Sequence, residues 1–139
     1  MNSNNTNPTI DTSNREMCYA YDLIAKTNKS FFLTGRAGTG KTTFLKNVQE
    51  VVNKNFIVLA PSGVAAIHAG GQTIHSFFGL DLGVQGPRSY GSMNSDKIAL
   101  VQNVDTIIID EVSMVRCDIM DAVDRMLRRC RHSCLPFGG

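Results

Sequence analysis

The sequence predicts an α/β protein built on a parallel sheet, with a phosphate-binding loop at the carboxyl end of one strand. Three observations carry that reading. Short apolar runs at residues 30–34, 56–60 and 106–109 alternate with stretches of helical periodicity. The runs Phe56-Ile57-Val58-Leu59-Ala60 and Thr106-Ile107-Ile108-Ile109 are nearly apolar throughout, as strands covered on both faces should be. Finally, Gly35-Arg36-Ala37-Gly38-Thr39-Gly40-Lys41-Thr42 stands between the first run and a helical pattern.

Residues 1–14 are mostly Asn, Ser and Thr and read as a disordered tail, too poor in apolar side chains to pack. Ser13-Asn14-Arg15-Glu16 is a capping-box pattern, and Met17, Tyr21, Ile24 and Ala25 recur behind it at helical spacing to about residue 27. Strand one is expected at 30–34, followed by the loop and a helix over 41–52 with Leu45, Val48 and Val52 on one face. Strand two, at 56–60, is stopped by Pro61, and a short helix over 63–69 is ended by Gly70-Gly71. Residues 80–94, with three glycines and a proline, predict a surface loop. A helix over 96–101 and strand three at 106–109 follow, then a last helix over 118–129 with Ile119, Val123, Met126 and Leu127 inward.

With 139 residues, 42% of them hydrophobic, the chain is long enough for one domain with a real core. A net charge of +2 does not by itself imply a nucleic-acid partner. Arg125, Arg128, Arg129 and Arg131 cluster beside His132, which reads first as a solvated helix face and second as a phosphate-contacting surface. No apolar run approaches the roughly 18 residues of a membrane span, and the start lacks a signal-peptide core. An intracellular protein is expected: cytoplasmic in a prokaryote, nuclear or mitochondrial in a eukaryote. Cys130, His132 and Cys134 lie close together, but no second ligand pair exists, so no structural zinc is expected.

The glycine-rich loop carries the chemistry. Its glycines let the backbone wrap closely round a phosphate, and successive N–H groups and the helix N-terminus face the anion. Lys41 would reach the β- and γ-phosphates, and the Thr42 hydroxyl would hold Mg²⁺. The expected ATP contacts are Gly35, Ala37, Gly38, Thr39, Gly40, Lys41, Thr42 and Thr43. Asp110 ends strand three, where a carboxylate would bind the Mg²⁺ that bridges the phosphates. Glu111, free of the metal, could deprotonate an attacking water. Two rivals can be tested. A GTPase should carry Asn-Lys-x-Asp, and Asn53-Lys54-Asn55-Phe56 fails at its last position. A phosphotransferase shares the loop but has no need of a water-activating glutamate.

Two further blocks, Ala60-Pro61-Ser62-Gly63-Val64-Ala65-Ala66 and Gly71-Gln72-Thr73-Ile74-His75-Ser76-Phe77-Phe78, complete the pattern. With the phosphate loop and Asp110-Glu111-Val112-Ser113-Met114-Val115 they resemble, in order and spacing, the Pif/RecD group of superfamily 1B DNA helicases. The resemblance covers about residues 15–139. It implies a RecA-like, P-loop NTPase sheet with flanking helices, and an ATP-driven motor moving 5′-to-3′ on single-stranded DNA. It implies DNA contacts at Pro61, Ser62 and Gly63 and at His75, Ser76 and Phe77. Hydroxyl, imidazole and backbone N–H groups can hold phosphates, and an aromatic ring can stack on a base. For Phe77 and Phe78, core packing competes with stacking. Ser113 belongs by resemblance to the region coupling the ATP and DNA sites.

The sequence departs from the group twice. Residues 14–34 contain no glutamine, where such helicases read adenine, leaving that contact to backbone groups or to stacking on Tyr19 or Tyr21. The chain also stops at Leu135-Pro136-Phe137-Gly138-Gly139, so a RecA-like sheet incomplete at its C-terminus, without the strand between strands one and three and without a second motor domain, is expected. The expected function is that of an ATP-dependent DNA helicase's N-terminal ATPase part. The alternatives are a catalytically silent nucleotide- or DNA-binding fragment, and a P-loop phosphotransferase.

Overall fold

The structure is a computed structural model that describes residues 13–139; the expected tail falls almost wholly outside the described residues. The chain divides into two compact units, Met1–Asn55 and Phe56–Gly139.

In the first unit, α1 (Arg15–Lys26) is capped by Asn14, whose side chain accepts the Met17 N–H at 3.1 Å. Asn14 is therefore helix cap rather than tail, and the capping-box reading through Ser13 is shifted by one residue. The short Asn side chain reaches the free amide at the third helical position as well as a serine would. Lys54 donates from Nζ to Ile24 O at 2.6 Å and Thr27 O at 2.9 Å, placing a cation on the carbonyl end of α1. The lysine of the failed guanine motif is thus a helix cap. α2 (Lys41–Val51) buries Phe44 and Val48 and leaves Leu45 half-buried.

Residues 30–34 do not form the expected strand. Phe31 and Phe32 are 41% and 67% exposed, and the segment has no ladder neighbour among the described residues. Aromatic side chains favour extended backbone, but a strand exists through the hydrogen bonds of its neighbour.

The second unit holds a three-stranded parallel sheet in the order β2–β1–β3. β1 (Phe56–Ala60) and β3 (Thr106–Ile109) pair from Phe56↔Thr106 to Leu59↔Ile109, as their apolar runs predict. α3 (Gly63–Ala69) crosses from β1 and is capped by Ser62 and stopped at left-handed Gly70. The two-residue strand β2 (Gln72–Thr73) and the single turn of α4 (Ile74–Phe78) carry too few residues for a periodic pattern. Gly71 precedes β2 because a Cβ there would overlap the Val58 carbonyl. α5 (Ser95–Asn103) is capped by Asn94, and α6 (Cys117–Cys130) buries the four residues its pattern predicted, together with Ala122 and Cys130. These helices join Leu59, Ile74, Phe77 and Phe78 in one core. Among the described residues no helix is long and apolar enough to cross a membrane.

Residues 80–94 are a loop, but a pinned one. Gln85 is buried; its N–H donates to Asp118 Oδ2 at 2.7 Å and its side-chain amide to Asp81 O at 2.7 Å. Arg116 forks onto the Asp118 carboxylate at 2.9 and 2.6 Å and also reaches Gly83 O at 3.3 Å. The Arg116 hydrogen bond and the Gln85 N–H hold the Asp118 carboxyl below the usual carboxylate range.

The arginine cluster is mostly neither a solvated face nor a phosphate surface. Arg125 donates to Gly86 O at 3.0 Å, Arg128 to Cys134 O at 2.7 Å, and Arg131 to Val101 O and Val104 O at 3.1 and 3.0 Å. Arg129 lies 5.4 Å from the centre of the Tyr90 ring. These guanidiniums tie backbone carbonyls of neighbouring segments to α6. Asp124 is tied in as well. Burial opposes its ionisation, but the Phe137 N–H at 2.6 Å and Arg128 at 2.8 Å outweigh it and hold the carboxyl low.

Candidate nucleotide and nucleic-acid sites

The phosphate loop lies wholly in the first unit. Gly38 and Gly40 have φ of +76° and +83°, the left-handed region that side chains other than glycine rarely adopt. Gly40 opens α2 without any side-chain cap, so the first N–H groups of that helix remain available to an anion. Lys41 curls back into the loop and donates to Gly35 O at 2.7 Å and Arg36 O at 2.8 Å. The Thr39 hydroxyl shares that second carbonyl, also at 2.8 Å. A Cβ on Gly35 would sit 3.1 Å from the Thr39 oxygen, so the curl is tight there. Ala37, Thr42 and Thr43 are exposed. Two backbone carbonyl oxygens thus hold the Lys41 ammonium inside the loop. Tyr19 is 67% exposed on α1, and Tyr21 is half-buried.

The acidic pair lies in the second unit, at the carboxyl end of β3. The Asp110 N–H donates to Leu59 O at 2.9 Å, extending the ladder one residue beyond the strand. Glu111 then turns left-handed, with φ 52° and ψ 40°, and its N–H donates to Asp110 Oδ1 at 3.0 Å. Such a backbone costs a glutamate on the order of 1 kcal/mol or more, and strain of this kind gathers at functional sites. A single 3₁₀ turn, Val112–Met114, holds it through Met114 N–H to Glu111 O at 3.0 Å. Glu111 and Ser113 are exposed, while Asp110 is half-buried.

The two expected DNA blocks flank β2. Pro61 and Ser62 are half-buried and Gly63 is exposed, with nothing within 4 Å of where a Cβ would stand. The Ser62 hydroxyl oxygen accepts the Ala65 N–H at 3.2 Å, leaving its own hydrogen to donate elsewhere. Thr73 caps α4 by accepting the Ser76 N–H at 3.2 Å, so that amide is committed while the Ser76 side chain is exposed. His75 is half-buried. Phe77 is only 2% exposed and meets Phe78 edge-on at 5.0 Å between ring centres. A ring sealed in the core offers no open face to a base, so stacking on Phe77 gives way to core packing. The sequence reading missed Lys97, whose Nζ donates to Ser76 O at 2.6 Å. Lys97 lies 21 residues beyond Ser76, across the loop that joins α4 to α5, and no local pattern signals the approach. Cys130 is buried, which raises its thiol pKa, and Cys134 is exposed. Among the described residues no group of three or more His, Cys, Asp or Glu could hold a metal ion.

A glycine loop closed on its own lysine ahead of an uncapped helix, and a carboxylate pair ending a parallel strand, are the two features by which the P-loop class of α/β fold is known. The chain belongs to the PIF1-like helicase family, whose pattern matches residues 13–139. It is 36% identical over 128 residues to the ATP-dependent DNA helicase Pif1 of Bdellovibrio bacteriovorus, covering 89% of this chain and 29% of that protein. It is 34% identical over 124 residues to the ATP-dependent DNA helicase PIF1 of Saccharomyces cerevisiae, covering 84% of this chain and 14% of that one. Among solved structures, Bacteroides Pif1 bound to single-stranded DNA superposes with a TM-score of 0.83 at 46% identity, over 90% of this chain and 29% of that one. Bacteroides Pif1 with ADP-AlF4 gives 0.84 at the same identity, over 90% of this chain and 30% of that one. The parallel sheet with flanking helices is thus the RecA-like fold of the Pif1 helicases. The chain spans less than a third of the length of each of these relatives.

Proposed function

We propose that residues 15–139 form the ATP-binding and strand-contacting part of the first motor domain of an ATP-driven 5′-to-3′ DNA helicase. The phosphate loop carries the proposal: left-handed glycines and free helix amides surround a lysine that already binds two carbonyl oxygens in place of an anion. Support comes from relatives named as ATP-dependent DNA helicases, and from Pif1 structures described as bound to single-stranded DNA and to ADP-AlF4. In this reading Gly35, Ala37, Gly38, Thr39, Gly40 and Thr43 line the phosphates, and Lys41 neutralises them. A hydroxyl at Thr42 and a carboxylate at Asp110 are hard oxygen donors, the set that suits Mg²⁺ shared with a nucleotide. When bound, that ion would offset phosphate charge. Glu111 takes the proton of the attacking water. Pro61, Ser62, Gly63, His75 and Ser76 contact the strand through hydroxyl, imidazole and backbone groups. A motor of this kind works where DNA is kept, inside the cell.

In the complete helicase, Glu111→Gln should keep ATP affinity and lower turnover by about 10²-fold or more, the usual worth of a general base. Steady-state ATPase assays beside nucleotide-binding titrations check this. Unimpaired hydrolysis by that variant would remove Glu111 from the role of base.

A further inference from the structure

We propose that Lys97 is a phosphate-binding cation of the single-strand site, delivered by α5 to the His75–Ser76 block of α4. The inference rests on the proposed DNA reading and extends it to a residue outside the motifs. Lys97 Nζ is fixed by two contacts, the Ser76 carbonyl at 2.6 Å and the Phe77 ring, whose centre is 5.7 Å away. The cation therefore stands beside the exposed Ser76 side chain. An ammonium has three donors, and the Ser76 carbonyl takes one. Lys97 makes no ion pair among the described residues. Asp96 shares its helical turn but is not paired with it.

Among the described residues Lys97 is held by a neutral carbonyl and an aromatic ring rather than by an anion. It sits in the first turn of α5, where the helix dipole is already positive. A phosphate would give the ammonium an anionic partner. Burial of Phe77 strengthens the case, because the block loses its expected stacking ring. The Ser76 hydroxyl and a charge fixed above that same ring remain for the strand. The contact is to backbone phosphate and carries no base preference.

The test is binding of this 139-residue chain to a short labelled oligothymidylate across a salt series. Lys97→Gln should weaken binding and reduce the slope of log K against log salt by about 0.7, the value for one phosphate contact on a single strand. Lys97→Met, which keeps the aliphatic stem against Phe77, should lose the same slope, and Lys97→Arg should retain it. Melting curves for each variant separate loss of fold from loss of charge. If Lys97 only caps the carbonyl end of α4, the Gln and Met variants will melt lower with an unchanged slope, and the assignment falls. If the unsubstituted chain does not bind the oligonucleotide at all, the DNA reading of α4 falls and takes the Lys97 contact with it.

Discussion

Single residues here answer questions that their types leave open. Phe77 could stack on a base or fill the core, and a one-turn helix has no periodicity to choose between them. At 2% exposure, against Phe78 and α6, it fills the core. Phe77→Ala should therefore destabilise the fold by about 3–5 kcal/mol, read by urea or thermal unfolding. A loss of DNA binding with unchanged stability would point back to stacking. The places of Lys41 in the glycine loop and of Asp110 at the end of β3 were legible, because glycine spacing and an isoleucine run set their surroundings locally. The left-handed backbone of Glu111 was not legible, since nothing in Asp-Glu-Val demands positive φ. Lys97 was hidden for a different reason. Its partner is a backbone carbonyl, which has no sequence signature.

At the scale of elements, local patterns gave β1, β3, α3 and α6 within a residue or so. Each has a period or a punctuating Pro or Gly. The segment 30–34 failed because a ladder partner is not a local property. The arginines of α6 were misread because guanidiniums seek carbonyls as readily as water, and only the tertiary fold shows which. Two carboxylates, Asp118 held by Arg116 and the Gln85 N–H and Asp124 held by the Phe137 N–H and Arg128, make the ties around α6 sensitive to acid. Asp118 and Asp124 both have folded-state pKa values below the ordinary 3.8. A depressed carboxylate contributes stability above its unfolded pKa, and loses it as pH falls through the folded value. Stability from these ties should thus be full near neutrality and drain below about pH 4. Asp118→Asn should lower stability at pH 7 and flatten the loss between pH 4 and pH 2, monitored by circular dichroism. An acid transition as steep as that of the unsubstituted chain would mean that other carboxylates drive it.

The molecule as a whole is a PIF1-like helicase sequence that spans less than a third of the relatives compared. Its order of motifs was enough to reach the family, because the residues and spacing of each block are local features of the sequence. In the proposed mechanism Gly35 to Thr43 bind the phosphates of ATP, with Lys41 exchanging the Gly35 and Arg36 carbonyls for phosphate oxygens. The most direct measurement is calorimetric titration of this chain with Mg²⁺-ATP, beside a Lys41→Ala variant shown to be folded. The expected result is saturable binding by the unsubstituted chain, weakened about tenfold or more by the substitution, the scale of one charge-assisted hydrogen bond. Equal affinity in the two proteins, or no binding in either, would contradict it.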